Sequence, residues 1–340
     1  MNMDVKQMRA IVCDGVGEAS VMRMATVDVP ALAESIAGAA PQVLIRVKAA
    51  GINRPDLLQR AGLYAPPADA SPLLGLEVAG EIVQVNGQTD WAVGDAVCAL
   101  THGGGYAEYV WADARHCLPI PTGWTMAQAA SVPETFFTVW LNVFDRAHLG
   151  RDGAETLLVH AGASGIGVAA IQIAKALGNR VIVTVRQMSK AQVCRDLGAD
   201  EVIELTDDWA QAVLDKTAGK GVDVILDMLG TTTAAGDLKA LAQGGRVAWI
   251  AFLTGSKVEV KIHEVMGKQA QLTGAFLRPQ SADVKADIAH DLRAQILPCL
   301  NSGAIKPVLD KVFDMADVVR AHEYMASNQH IGKLVLQWDN

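Results

Sequence analysis

Aromatic side chains are scarce in this 340-residue chain, 5% against 51% hydrophobic residues overall, so its cores must be aliphatic. An interior rich in Ala, Val, Ile and Leu suits buried parallel strands and packed helices better than an aromatic-filled β-sandwich. Long apolar runs are also missing. None approaches the ~18 residues of a membrane span, and the opening MNMDVKQMRA has no apolar signal core. No cluster of Lys and Arg is present and the formal net charge is −8. A general nucleic-acid binder is excluded on that ground, because neutralising phosphates needs a basic surface. The five cysteines, Cys13, Cys98, Cys117, Cys194 and Cys299, are odd in number and far apart, which fits neither a disulfide framework nor paired metal ligands. The eight histidines have no ligand-like spacing either. Together these absences point to a cytoplasmic protein with no membrane or nucleic-acid partner.

The length calls for two domains, each able to bury a substantial core. Up to about residue 135 the chain reads as short β segments split by Gly, Pro and Asp: RAIVCDGVG, QVLIRVKAAGIN, EVAGEIVQVN, GDAVCAL and YAEYVWAD. Pro66, Pro67 and Pro72 keep the stretch from Leu63 to Leu74 irregular, a loop able to carry function. Beyond Pro133 apolar strands alternate with helical patterns, the mark of βαβ units and a parallel sheet. The expected strands are 156–162, 180–185, 201–205, 222–229, 245–253 and 270–277, with helices closing on Gly178 and Gly198. A helix follows Arg278–Pro279, and the closing GKLVLQW is a strand expected to rejoin the first domain. The fold class is therefore α/β.

The strand LLVHAG runs into G-A-S-G-I-G, from Gly162 through Ala163, Ser164, Gly165 and Ile166 to Gly167, and then into the helix VAAIQIAKALG. A glycine-rich turn between strand and helix is a dinucleotide-binding signature. On this reading Gly162 permits the tight turn, Ser164 and Gly165 let the backbone approach a pyrophosphate, and Gly167 lets the helix pack on the strand. Amides at the helix start face the anion. An Asp or Glu after the second strand would select NAD, yet no acid occurs between Val168 and Arg195, and Arg186 and Lys190 stand there instead. A guanidinium pairs with a 2′-phosphate, so the expected cofactor is NADPH.

With that turn in mid-chain behind a β-rich half, the sequence resembles the medium-chain dehydrogenase/reductase superfamily, specifically its zinc-independent quinone oxidoreductases. The resemblance rests on MRAIV (8–12), AAGINRPDLLQRAGLY (49–64), GLEVAGEIVQV (75–85), VGDAV (93–97), GGYAEY (104–109), AASVPETFFTVW (129–140), HAGASGIG (160–167), ILDMLG (225–230) and NQHIGKLVL (328–336). The INRPDLLQRAGLY and VPETFFTVW segments look most like the p53-inducible quinone reductase branch.

The resemblance implies a GroES-like, β-rich catalytic domain and a doubly wound, parallel-sheet Rossmann domain: 1–137 catalytic, 138–278 Rossmann, 279–340 returning to the catalytic domain. It further implies an active site in the cleft between the domains and a homodimer through a Rossmann edge strand, here LTGAFL. Zinc-dependent relatives place a Cys where this chain has Asn53 and a His where it has Leu76, and their four-cysteine lobe is missing, so no metal is expected.

By the same resemblance Asn53 and Tyr64 lie beside the nicotinamide end, Asp56 orients, Glu77 is structural, and Thr138 matches a family threonine near the ring. Backbone near Gly230, Phe252 and Leu277 is expected to touch the cofactor. Arg278 reaches cofactor or substrate, and Lys333 is a further cofactor candidate. Without a Lewis acid the acceptor must already be electrophilic. That favours direct hydride transfer from NADPH to a quinone, then to an α,β-unsaturated carbonyl in an enoyl or alkenal reductase. A third reading, from another class, is an NADPH-binding sensor or structural protein with little catalysis.

Overall fold

The structure is a computed structural model describing residues 6–31, 40–151 and 153–339. The first five residues, part of the stretch expected to lack a signal core, lie outside it. Fifteen described strands follow in chain order: β1 Gln7–Cys13, β2 Met22–Asp28, β3 Gln42–Ile52, β4 Glu77–Asn86, β5 Ala96–Leu100, β6 Tyr109–Asp113 and β7 Cys117–Pro119; then β8 Thr156–Val159, β9 Arg180–Val185, β10 Glu201–Glu204, β11 Val222–Asp227, β12 Leu241–Trp249 and β13 Gln271–Gly274; and finally β14 Leu309–Asp314 and β15 Lys333–Gln337.

The chain divides into two compact units. The first runs to Glu134 and takes in Arg278–Asn301 and the chain from Pro307 on, while the second holds Thr135–Leu277 and Ser302–Lys306. The change of unit therefore falls three residues earlier than the 137/138 boundary expected from sequence, inside the helix Pro133–Val139.

In the first unit a seven-stranded sheet runs β14-β15-β3-β4-β5-β7, with β6 also on β3. The C-terminal strand pairs antiparallel with β3, Leu334 opposite Ile52, which ties the tail to the front of the chain. Alternation explains the core: Val43, Ile45 and Val47 of β3 are buried among Val78, Ile82, Tyr106 and Leu336. Strand β2 and the short helix Arg54–Arg60 were not expected from sequence; β2 mixes Arg, Thr and Asp among its apolar residues, and most of it stays at least partly exposed.

The second unit holds a six-stranded, all-parallel sheet in the order β10-β9-β8-β11-β12-β13. That is the doubly wound order of dinucleotide-binding domains. Its central strands are aliphatic and buried, as both faces of a parallel sheet require: Leu157, Leu158, Ile182, Val183, Ile225 and Leu226 have no exposed surface. Helices end where glycine was expected, with Gly178 at φ +83° and Gly198 at φ +105°. Strand β12 departs from expectation, starting at Leu241 and ending at Trp249 where 245–253 was predicted. No helix among the described residues is long and apolar enough to cross a membrane.

Candidate functional site

The glycine turn links β8 to the helix Gly165–Ala176, and Ser164 caps that helix by accepting the Gly167 N–H at 3.0 Å. The first-turn amides of Gly165 and Ile166 have no preceding helical carbonyl to bond, which makes this end a ready receptor for a pyrophosphate. A Cβ on Gly167 would lie 2.4 Å from the Gly162 carbonyl oxygen, and one on Gly162 would lie 2.6 Å from Val183 Cβ. The left-handed turn residue is Ala161, at φ +54°, so Gly162 is needed for closeness to β9 rather than for turn conformation. Ser164 Oγ also reaches Met228 Sδ at 3.6 Å, tying the turn to the end of β11. These residues fit a dinucleotide: a small-residue cradle with free donors.

Arg186 is exposed directly after β9, and Lys190 is half-buried four residues on. Gly230, at φ +84°, sits in a loop held by Asp227. The Asp227 carboxylate accepts from Leu229 N at 2.6 Å, Gly230 N at 3.1 Å, Thr233 Oγ1 at 2.9 Å and Trp249 Nε1 at 2.9 Å. A Cβ on Gly230 would lie 3.2 Å from Phe252 Cα, so these two expected cofactor residues adjoin. Phe252 is half exposed and meets the Phe276 ring edge-on at 6.3 Å, whereas Leu277 is buried. Thr138 is half-buried on the helix Pro133–Val139, where its carbonyl accepts from Asn142 Nδ2 at 3.0 Å.

Among the described residues one trio, His160, Asp227 and Asp237, has donor atoms within 4.8 Å of one another. His160 already bonds Thr184 Oγ1 and Asp237 Oδ1, each at 2.8 Å. Burial raises Asp237 to about 6. We read the trio as an internal brace behind the Gly230 loop.

The first unit gathers Asn53 and Lys333 around Glu77, with Asp56 on the Asn53 backbone. Lys333 Nζ donates to Glu77 Oε1 at 2.6 Å, Asn53 Oδ1 at 2.5 Å and the Ile52 carbonyl at 3.1 Å. Those three bonds use all its protons, leaving no donor for the cofactor contact expected of it. Glu77 has no exposed surface, accepts Asn53 Nδ2 at 2.9 Å and takes the Glu134 N–H at 2.9 Å on its other oxygen. Gly51 makes room for it: a Cβ there would lie 2.0 Å from Glu77 Oε1. Leu76 is buried and has no donor atom.

Asp56 accepts from Asn53 N at 2.8 Å, Gly75 N at 3.0 Å and Tyr106 Oη at 3.2 Å. Burial pushes it up to about 6 despite those bonds. It therefore ties the helix Arg54–Arg60 to Gly75, directly after the Leu63–Leu74 loop.

Tyr64 lies half-buried on that loop, with the Arg278 guanidinium 5.7 Å from its ring centroid. Burial raises the Tyr64 hydroxyl and the Arg278 charge opposes it. Two residues not singled out from sequence belong here. Burial and then the neighbouring Glu77 raise Glu134 to about 8. Lys285, buried, donates to the Arg278 carbonyl at 2.8 Å. The PET of VPETFFTVW was a signal for Glu134; nothing local marked Lys285.

Both halves match known families: the alcohol dehydrogenase GroES-like domain over residues 39–122 and the zinc-binding dehydrogenase family over 165–292. The quinone oxidoreductase of Lama guanicoe is 32% identical, over 87% of this chain and 88% of that one. The chain belongs to the medium-chain dehydrogenase/reductase superfamily, in its quinone oxidoreductase-like group.

Phenolphthiocerol synthesis polyketide synthase type I Pks15/1 of Mycobacterium bovis is also 32% identical over 87% of this chain, but that match spans only 14% of the synthase. Among solved structures, an NAD-dependent alcohol dehydrogenase superposes with a TM-score of 0.83 (29% identity, 97% and 99% coverage). The mycobacterial protein Rv1454c complexed with NADPH gives 0.82 (29%, 97% and 99%), and CurK enoyl reductase gives 0.81 (26%, 98% and 100%).

Proposed function

We propose that this protein is a zinc-free NADPH:quinone reductase. The observation that carries the reading is the Asn53–Glu77–Lys333 cluster. Where zinc-dependent relatives gather metal donors, this chain has a donorless Leu76 and an Asn53 side chain committed to a buried ammonium and carboxylate. With no Lewis acid to stabilise an alkoxide, the acceptor has to form a stable anion on its own. A quinone does so by becoming an aromatic hydroquinone.

Bound NADPH supplies the hydride, passed directly to the acceptor. Tyr64 is assigned to the acceptor oxygen, with Thr138 near the ring; Asn53 and Asp56 are positioning residues that hold the Tyr64 loop. The pyrophosphate is assigned to the turn from Gly162 to Gly167, and the nicotinamide end to Gly230, Phe252 and Leu277. The similar structures include both an NAD-dependent enzyme and an NADPH complex, so the choice of NADPH rests on Arg186 and Lys190 and on the absence of an acid after β9.

A second reading, an enoyl or alkenal reductase, is favoured by the likeness to CurK enoyl reductase. Side-by-side rates with 1,2- and 1,4-quinones and with medium-chain enals and enoyl thioesters decide between them. Quinones are expected to turn over fastest, and quinone rates far below enal rates would reverse the order.

We further assign a homodimer through β13, the sheet edge; Ile262 and Met266, on the helix Ile262–Lys268 that precedes it in the chain, are largely exposed. The five cysteines stand outside any disulfide, which suits the cytoplasm.

A further inference from the structure

Arg278 is only 6% exposed, yet its Nε and Nη2 have no hydrogen-bond partner among the described residues. Its remaining nitrogen, Nη1, donates to Gln59 Oε1 at 2.6 Å, a neutral acceptor, and the Tyr64 ring lies 5.7 Å from the guanidinium carbon. Leaving two N–H donors of a buried cation unpaired is costly. Nε and Nη2 form one edge of the guanidinium, the planar fork that matches the paired oxygens of a carboxylate or phosphate.

A second buried cation stands close by. Lys285 Nζ donates to the Arg278 carbonyl oxygen, and its ammonium makes no ion pair with a described residue. The acids that face Lys285 are weak counter-charges. Glu134 is held protonated below about 8, and Asp69 is exposed and bonded to His102 at 3.1 Å. Arg278 and Lys285 both line a cavity of about 830 Å³ within the first unit, shared with Asp69, His102, Gly103 and Trp111. A space of that size holds a drug-sized molecule.

We propose that Arg278, with Lys285 behind it, binds the carboxylate or phosphate of an acidic ligand in this cavity. Resting on the reductase reading above, that ligand is the acceptor: a quinone or unsaturated carbonyl bearing an anionic group. The site thus selects acceptors by charge, beside the Tyr64 ring.

Isothermal titration of the full-length protein with benzoate, phenyl phosphate and the neutral control benzamide tests the site directly. One or both anions are expected to bind at least tenfold more tightly than benzamide, as charge-assisted bonds imply, and whichever anion wins identifies the group. Arg278→Met is expected to remove that preference and Arg278→Lys to keep part of it, with melting curves to show that each variant folds; Lys285→Gln replaces Arg278→Met if the latter does not fold. Equal affinity for anions and benzamide, or an anion preference untouched in the folded variants, overturns the proposal.

Steady-state rates with a neutral naphthoquinone and its carboxylate derivative separate this idea from the reductase reading. Turnover of both at equal KM sinks the charge selection and leaves the reductase. Anion binding without turnover of any acceptor keeps the site and removes the reductase.

Discussion

A carboxyl sealed from water beside another carboxylate keeps its proton, and Glu134 is in that position. Burial first, then the Glu77 charge, raise it from 4.5 to about 8. A folded-state value above the unfolded one means that the folded chain holds the extra proton between those limits. The stability linked to it is fully present near pH 4.5 and is lost as pH rises through about 8. Glu134→Gln keeps the shape and removes the titration. Its melting temperature should match the wild type near pH 5 and exceed it increasingly towards pH 8.5, a difference on the order of 1–3 kcal/mol at the upper end; parallel melting curves across that range would contradict the assignment. Lys333 shows the complementary case: a lone lysine in the sequence whose role is set by a carboxylate 256 residues away.

Between β8 and the helix Gly165–Ala176 the chain has little freedom, because a methyl on Gly162 or Gly167 would collide with Val183 or with the turn itself. This constraint is what local sequence can announce, since it needs only small residues at fixed spacing between a strand and a helix. Strand β9 ends next to it, and the exposed Arg186 that follows is where cofactor choice is assigned. Arg186→Asp should raise the KM for NADPH at least tenfold and leave that for NADH near its wild-type value, because an acid there repels the 2′-phosphate. Initial-rate kinetics with both cofactors measure it, and an unchanged ratio removes Arg186 from that role. Elements without strong patterning were harder to anticipate. Strand β2 carries mixed polar residues, and β12 starts at Leu241, before the Gly245 at which the expected strand begins.

Association belongs to the scale of the whole molecule. Among the described residues strand β13 bonds to β12 alone, and Ile262 and Met266, on the helix that precedes it in the chain, are 73% and 72% exposed. An unprotected edge with neighbouring apolar side chains is a pairing surface. Sedimentation equilibrium should therefore give a dimer, and the double substitution Ile262→Glu, Met266→Glu should shift it to monomer with NADPH binding retained. A wild-type monomer at micromolar concentration would refute the edge-strand dimer.

The sequence by itself determined the α/β class, the two-part organisation and the turn from Gly162 to Gly167. Each is a local pattern of side-chain size or period, readable without knowing what lies opposite. Tertiary structure alone decided the partnerships between distant segments. Lys333 closes on Glu77 and Asn53 because β15 returns to pair with β3. Arg278 and Lys285 reach the Tyr64 and Asp69 loop only because the chain after Leu277 rejoins the first unit. Charges that far apart in sequence carry no signature of their pairing, since burial and proximity arise only when the fold brings them together.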